Sequence, residues 1–505
     1  MNKKKVIVDV FSNWSNLVLG VVVSFFVSPI IVHRLGNEHY GIWTLIQSVT
    51  GYFGLLDFGL NTAIVRYISM YRARNEFQKA NEVYCTAYIF FTIISTVIIF
   101  LSLVISIFFK DLFHIQSFNR SYLFLVFIVV GIGLAFGTLF SPLLATLRAQ
   151  QEHLMINIIY NSSLLITNVL IVILLLNGYN ILMLAVISIL SLFLQELCMY
   201  IIIRKKYGYL QFHLSDSSKT MLKQICGYSV YSFIISISLR LLFYTDSIVI
   251  GSFINVSEIT FYAIPSQIVD HIEKFLWAMI SVFIPIISSH DAVGNDEKNK
   301  KLYILGTKYT MILAVPIIFV LLTNGPNFIT LWMGVEYGIR SAWVFRILLI
   351  GYGFGFSQLI AHGILKGISK HKVYSYILLG EAIANLLLSI ALAPSYGIEG
   401  VAIGTTLPLL IVSIIIVPAY ICHVLDLRII QYIKESRLIE LFFITLLASL
   451  IYYKIPIKVS SYFQLALYAS TVSLFFGIMS LFFIIDREHR DLFFGTIKSR
   501  LSVQF

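Results

Sequence analysis

An apolar stretch near the middle of the sequence carries an arginine at its centre. Residues 226–254 are long enough to cross a bilayer, which takes about 20 residues. On a helix, Ser229, Ser232 and Ser236 share one narrow face with Arg240, because successive members are about one turn apart. A charge that faces lipid at this depth costs about 3 kcal/mol or more, so we expect this face to meet protein or water. We predict that it lines a water-filled cavity; a packing seam of small residues is the alternative.

The second polar stretch is residues 41–67, GIWTLIQSVTGYFGLLDFGLNTAIVRY. Read as one helix, it places polar or small residues on one face: Gln47, Gly51, Gly54 and Asn61. Asp57 lies at the edge of this face near mid-membrane, either as a cavity carboxylate or as the partner of a cation such as Arg240. Arg66 at the inner boundary is typical of an interfacial anchor, with a ligand contact as the alternative.

Residues 261–287 form a third polar stretch, in which Asp270 and Lys274 lie one turn apart. This spacing allows an ion pair within the helix, but ionisable groups so close together cannot face lipid. The first apolar run adds Asn16, which stands in the same polar pattern as Ser232. The simplest assembly is a cavity walled by these four helices, whose cations suit an anionic headgroup such as a diphosphate.

These stretches give two sets of candidate residues at membrane depth. The predicted cavity residues are Arg240, Lys274, Asp57, Asn61, Arg66, Ser236, Ser232, Asn16, Gln47, Asp270 and Arg346. The candidate carboxylates for coupling to an ion gradient are Asp57, Asp246, Asp270 and Glu381. Arg346 and Glu381 are isolated in the sequence, and a structural role is the alternative for both.

Composition places the chain in the membrane class. Hydrophobic residues make up 58% of the 505 residues and charged residues 12%, against about 25% in soluble domains. The net charge of +11 comes from residues between apolar runs, so nothing predicts a nucleic-acid site. The four cysteines have no metal or redox spacing, and no phosphate-binding loop or hydrolase motif occurs. We therefore expect neither a cofactor nor a metal, and no enzymatic activity.

The apolar runs predict an all-α membrane protein with about 14 transmembrane helices. Most of the 36 basic residues fall in loops on one side if the N-terminus is cytoplasmic, which predicts that both termini are cytoplasmic. An internal repeat aligns residues 168–188 with residues 385–405, including Asn168 with Asn385 and Tyr179 with Tyr396. The repeat predicts two six-helix bundles related by a pseudo-two-fold axis along the membrane normal, plus two appended C-terminal helices. The predicted division is 1–205 for the first bundle, 206–223 for a cytoplasmic linker, 224–424 for the second bundle, and 425–505 for the added helices and tail.

Five segments of the chain resemble a known family. They are PIIVHRLGNEHYGIWTLIQSV, DFGLNTAIVRY, DSIVIGSFINVSEITFYAI, PNFITLWMGVEY and APSYGIEGVAIGTTL. The chain resembles bacterial oligosaccharide flippases of the polysaccharide biosynthesis type, which move O-antigen and capsule repeat units. These belong to the multidrug/oligosaccharidyl-lipid/polysaccharide exporter superfamily.

The resemblance implies a function, a location and partners. The implied cargo is an undecaprenyl-diphosphate-linked oligosaccharide, moved by alternating access from the cytoplasmic to the periplasmic leaflet of the bacterial inner membrane. It further implies that Arg240 and Lys274 hold the diphosphate or acidic sugars, and that a polysaccharide polymerase and a chain-length regulator are partners. An ion-coupled multidrug antiporter and a peptidoglycan lipid-precursor flippase share this fold and are the alternatives, with a membrane enzyme such as a polymerase a weaker one.

Overall fold

The computed structural model describes residues 3–228, 230–292, 296–368, 370–455, 457, 459–487 and 489–491, and these are nearly all helical, without a strand. The first ten helices are α1 Lys3–Leu35, α2 Asn37–Gly51, α3 Leu60–Ala73, α4 Phe77–Leu112, α5 Arg120–Ala149, α6 His153–Leu176, α7 Ile181–Lys206, α8 Lys219–Tyr228, α9 Val230–Phe253 and α10 Glu258–Ser281. The next ten are α11 Ile284–Ala292, α12 Asp296–Met333, α13 Val335–Arg340, α14 Ala342–Gly355, α15 Leu359–Gly367, α16 His371–Ile411, α17 Val417–Val424, α18 Ile429–Glu435, α19 Leu438–Lys454 and α20 Tyr462–Phe483.

The all-helical membrane fold is thereby confirmed, and the protein is a multi-pass membrane protein. Among the described residues, 11 helical segments are long and apolar enough to cross a membrane, or 12 if the bent pair α18–α19 counts as one more. This number is lower than the predicted number of about 14 spans, and the structure shows where the difference arises. The second predicted span is divided into helices that are each too short. The eleventh and twelfth meet at Gly397 inside α16 without an intervening loop, so they count as one segment.

The chain reverses direction inside α16, at Gly397. This glycine has φ of 60° and ψ of −143°, which are not helical values. A Cβ on Gly404 would lie 2.5 Å from Ser389 Oγ, although these residues would be about 22 Å apart along a straight helix. The Leu392 carbonyl likewise lies against Gly400. The two arms of α16 therefore pack against each other, and the reversal falls at the predicted boundary between two spans.

The chain divides into two compact units. The first comprises Met1–Ile264 with Leu378–Gly404, and the second comprises Pro265–Ile377 with Thr405–Phe505. In the first unit α5 packs against α3, α4 and α7, while α6 packs against α1 and α7, and α2 against α9. The predicted division at residues 205, 224 and 424 follows the sequence repeat instead and stays a prediction.

The linker after α7 is bound to the first unit along the start of α4. Asn81 accepts a hydrogen bond from the backbone N–H of Gln211 at 2.8 Å and donates through Nδ2 to Asp216 at 2.9 Å. One turn further along α4, Cys85 Sγ donates to the Gln211 carbonyl at 3.2 Å. Side chains of α4 thus bind both the backbone and a side chain of the linker, which packs as part of this unit.

In the second unit, the two C-terminal helices pack on α12. Phe319 of α12 lies 5.6 Å from Phe476 of α20, measured between ring centroids, within a cluster that includes Leu441 of α19. Beyond α20, Asp486 accepts an ion-paired hydrogen bond at 2.8 Å from Lys308, whose side chain is only 2% exposed. Helices α19 and α20, which the sequence predicts to lie outside the repeat, therefore pack on α12 through apolar contacts. The ion pair of the buried Lys308 with Asp486 adds a polar contact beyond α20.

Candidate functional site

The predicted second span is broken at mid-length. Helix α2 ends at Gly51, a 3₁₀ segment covers Tyr52–Asp57, and α3 begins only at Leu60. Between them Phe58 and Gly59 both adopt left-handed φ values, 48° and 72°. Irregular backbone at membrane depth is tolerated only where protein or an aqueous cavity surrounds it. The shared helix face expected for Gln47, Gly51, Gly54 and Asn61 therefore does not exist, because the periodicity is interrupted.

Asp57 stabilises this break. Its Oδ1 accepts a hydrogen bond from the Gly59 backbone N–H at 2.8 Å, and its Oδ2 accepts one from Asn61 Nδ2 at 3.3 Å. Thr62 Oγ1 donates to the Gly59 carbonyl at 2.8 Å. Local side chains thus satisfy backbone groups that a continuous helix would have paired. Asp57 and Asn61, both predicted site residues, come together here, and Asp57 forms no ion pair with the described cations.

Arg240 of α9 is packed directly against the same break. Its Nη1 donates a hydrogen bond to the Gly51 carbonyl, and a Cβ on Gly54 would overlap its guanidinium. Its Cζ lies 5.7 Å from the ring centroid of Tyr244, one turn along α9. A Cβ on Gly51 would overlap that tyrosine ring. Two glycines therefore let α9 approach closely enough for an arginine to reach the broken backbone.

The guanidinium of Arg240 keeps unused hydrogen-bonding capacity. It is half-buried, and among the described residues no carboxylate forms an ion pair with it. A guanidinium has five N–H donors in a planar fork that matches carboxylate and phosphate oxygens. Arg240 is thus a cation held by a neutral carbonyl and an aromatic ring, with donors free to meet an oxyanion.

The remaining candidates of the first unit take varied positions. Asn16 and Ser236 are half-buried, whereas Gln47 is exposed. Arg66 is exposed with its Cζ 6.0 Å from the Tyr67 ring centroid, an arrangement typical of the predicted interfacial anchor. The side chains of Ser229 and Ser232 lie outside the described residues.

Asp246, a candidate coupling carboxylate, connects α9 with α10. It is 7% exposed and accepts a hydrogen bond from the Tyr262 hydroxyl at 2.5 Å. Nearby, the Tyr52 hydroxyl of the 3₁₀ segment lies 2.6 Å from Thr245 Oγ1. The hydrogen bond between Tyr52 and Thr245 therefore joins the break in the second span to the C-terminal half of α9, next to Asp246. Glu381, in α16, is also 7% exposed and has an interaction partner.

In the second unit, the predicted Asp270–Lys274 ion pair forms. The two groups are 2.6 Å apart, with side chains 33% and 59% exposed, so the cation is accessible although it is paired. Arg346 is half-buried with its Cζ 5.3 Å from the Trp343 ring centroid. It lines a groove of about 500 Å³ among α12, α14 and α19, whose other lining residues, such as Phe319 and Leu441, are mostly apolar.

Comparison with known proteins places the chain in a family. A sequence model of the family described as "Polysaccharide biosynthesis protein" matches residues 8–290. The chain belongs to this family. It is 22% identical over 514 residues to "Uncharacterized membrane protein EpsK" of Bacillus subtilis (strain 168), with 97% of each chain covered. It is 21% identical over 389 residues to "Putative O-antigen transporter" of Shigella flexneri, covering 76% of this chain and 90% of that relative.

Solved structures show the same fold. The chain superposes on "Lipid II flippase MurJ, inward closed conformation" with a TM-score of 0.70, 15% identity, and coverage of 96% of this chain and 100% of that one. A second match is "Inward-facing conformation of a multidrug resistance MATE family transporter of the MOP superfamily", with a TM-score of 0.68, 15% identity, and coverage of 80% and 95%. The polysaccharide biosynthesis protein thus shares its architecture with transporters of this superfamily.

Sequence reasoning missed two features of this family member. The break at residues 52–59 was hidden because the apolar pattern continues across it, although Gly51, Gly54 and Gly59 around Asp57 are a signal of irregular backbone. The groove beside Arg346 depends on helices distant in sequence, and no local pattern predicts it.

Proposed function

We propose that this polysaccharide biosynthesis protein translocates undecaprenyl-diphosphate-linked oligosaccharide repeat units across the bacterial inner membrane. The direction is from the cytoplasmic to the periplasmic leaflet, for O-antigen or other surface polysaccharide synthesis. Membership of the family supports a role in moving polysaccharide precursors, and the name of the Shigella flexneri relative supports the substrate class. The internal repeat supports alternating access, and the distribution of Lys and Arg supports cytoplasmic termini.

The observation that carries the proposal is Arg240 at the broken second span. Discontinuous helices in transporters mark substrate sites, because their irregular backbone is kept only where it lines a functional space. Here the break is contacted by a guanidinium that donates to the Gly51 carbonyl and lacks a carboxylate partner among the described residues. An intramembrane cation in that state suits a ligand that brings its own negative charge, such as a diphosphate.

Lys274 and Arg346 are the other basic residues that we propose to contact the substrate. Lys274 is exposed and its partner Asp270 lies on the same helix, so a stronger anion can replace the carboxylate without rearrangement of the backbone. Arg346 stands beside an apolar groove, a combination that suits an amphiphile with an anionic head. We propose a polysaccharide polymerase and a chain-length regulator as partners that receive the translocated units.

Deletion of the gene tests the proposal in cells. The strain is expected to lose surface polysaccharide and to accumulate lipid-linked repeat units whose glycan a membrane-impermeant lectin cannot reach in spheroplasts. Expression of the wild-type chain is expected to restore both. Surface polysaccharide at the wild-type level in the deletion strain, together with increased sensitivity to cationic drugs, would instead identify a multidrug antiporter. A cationic site at Arg240 disfavours that second outcome, because it repels cationic drugs.

A further inference from the structure

The side chain of Glu196 in α7 is buried, and one of its two carboxylate oxygens is unsatisfied among the described residues. It is 7% exposed, and its Oε2 has no hydrogen-bond partner among the described residues. The residue before it, Gln195, is by contrast satisfied, because its Nε2 donates to Ser163 Oγ at 2.7 Å. Asp57, Asp246 and Asp270 each accept a hydrogen bond from a named donor. Glu196 therefore differs from the carboxylates that the sequence suggested for ion coupling.

The turn of α7 that follows Glu196 packs into an aromatic and apolar cluster. Met199, one turn along α7, is fully buried in a cluster with Tyr84 and Tyr88 of α4. The groups that interact electrostatically with the Glu196 carboxyl are the hydroxyls of Tyr88 and of Tyr160 on α6. Tyr88 in turn interacts electrostatically with Tyr84 and Tyr200, and Tyr160 interacts with Arg148 at the end of α5.

An ionised carboxylate is unstable in such surroundings. Burying a charge without a counter-charge or donor costs far more than burying the neutral acid, so the group holds a proton while the helices are packed around it. It can release the proton only in a state that admits water or a cation to the cluster. A ligand that binds one state better shifts the equilibrium towards that state, and here the ligand is H⁺.

We propose that Glu196 is a proton-binding site that couples the packing of α4, α6 and α7 to pH. The carboxyl takes one proton from water to become the neutral acid, which favours the packed state, and returns that proton to water when the cluster opens. Proton binding at this position is independent of the substrate. Its use in driving transport rests on the proposed flippase function.

Infrared difference spectroscopy tests the site itself. The full chain is reconstituted in vesicles of phosphatidylethanolamine and phosphatidylglycerol, and spectra are recorded as the pH is raised in steps. The wild-type protein is expected to lose a carbonyl band of a protonated carboxylic acid, and Glu196→Gln is expected to lack that band while folding normally. Glu381→Gln, which removes an equally buried but partnered carboxyl, is the matched control and is expected to keep the band.

A second variant keeps the test decisive. Glu196→Asp retains an acid and is expected to show the band at a shifted position, so it distinguishes loss of a proton site from loss of fold. A pH difference spectrum of Glu196→Gln that superposes on the wild-type spectrum overturns the proposal. So does a wild-type spectrum without a protonated acid band.

Flipping measurements in the same vesicles test the coupling. With undecaprenyl-diphosphate-linked oligosaccharide as the probe, the wild-type rate is expected to change by up to about tenfold per pH unit, and that of Glu196→Gln by less than about twofold. Equal pH dependence of the two proteins would overturn the coupling role. Absence of flipping by the wild-type protein would count against the proposed function alone, because the infrared result for proton binding stands without it.

Discussion

The close approach of α9 to the broken second span predicts the effect of a single methyl group at Gly54. A Cβ at this position overlaps the Arg240 guanidinium, which is the flexible end of its side chain. In Gly54→Ala we therefore expect the backbone to stay in place and the guanidinium to move away from the Gly51 carbonyl. The substitution displaces the proposed anion-binding group without removing its charge.

The expected change in stability is small. Loss of the hydrogen bond from Arg240 to Gly51 costs about 1.5–3 kcal/mol, because the donor is charged. Replacement of glycine by alanine within a helix returns about 0.5–1 kcal/mol. The free energy of unfolding should thus fall by about 1–2 kcal/mol, and the protein should still be produced and folded. Transport is expected to fall about 100-fold, since a displacement of about 1 Å in a positioning group has an effect of this size.

Two assays measure these quantities. Thermal unfolding of the purified protein gives the stability change, and flipping of undecaprenyl-diphosphate-linked oligosaccharide in vesicles gives the rate. Gly380→Ala is the matched control, because a Cβ there meets nothing within 4 Å. Since Gly380 lies within α16, this variant should gain about 0.5–1 kcal/mol of stability and flip at the wild-type rate. A Gly54→Ala protein that flips at the wild-type rate would refute the assignment of Arg240 to the substrate.

Three further predictions concern positions outside that contact or at its edge. Gly51→Ala places a Cβ against the rigid ring of Tyr244, so it should lower the melting temperature more than Gly54→Ala does; equal melting temperatures would contradict the packing described. Asn81→Ala removes two hydrogen bonds to the linker, which together contribute about 1–2 kcal/mol. Amide hydrogen exchange in residues 207–218 should therefore become roughly tenfold faster, while exchange in α5 stays the same. Unchanged exchange in the linker would show that these hydrogen bonds do not hold it in place. Asp486→Asn removes the ion-pair partner of the buried Lys308 and should lower the free energy of unfolding by about 1–3 kcal/mol. This is less than for a fully buried pair, because the Asp486 side chain is 43% exposed. The double variant with Lys308→Met should recover much of that loss, and no recovery would contradict the role given to this ion pair.

Most of the fold follows from the sequence because bilayer thickness and helix rise leave few solutions for long apolar runs. The reversal at Gly397 was predictable for the same reason, since a glycine and a nearby proline separate two runs of spanning length. The packing of α19 and α20 on α12 was not predictable. It depends on contacts such as Lys308 with Asp486, which are far apart in sequence.

The candidate site was predicted only in part. The polar spacing around Arg240 predicted a face that meets protein or water, because exposing an arginine to acyl chains is costly. The structure shows the Arg240 guanidinium in contact with the backbone of the second span. The partner of that face was not foreseen. Sequence patterns suggested the carboxylate of Asp57, whereas the guanidinium meets the carbonyl of Gly51, a backbone group without a side-chain signature. Glu196 was similarly hidden, since the burial of its Oε2 without a donor among the described residues is a property of the packed helices.

The most direct test of the account is a comparison of wild-type protein with Arg240→Ala and Arg240→Lys in vesicles that contain undecaprenyl-diphosphate-linked oligosaccharide. Flipping is read as the fraction of glycan that becomes accessible to an external lectin. We expect flipping by the wild-type protein and loss of flipping in Arg240→Ala at normal levels of inserted protein. Arg240→Lys, which keeps the charge but not the planar donor fork, should flip partially. Wild-type flipping by Arg240→Ala would contradict the claim that this guanidinium, held at the broken second span, receives the anionic head of the substrate.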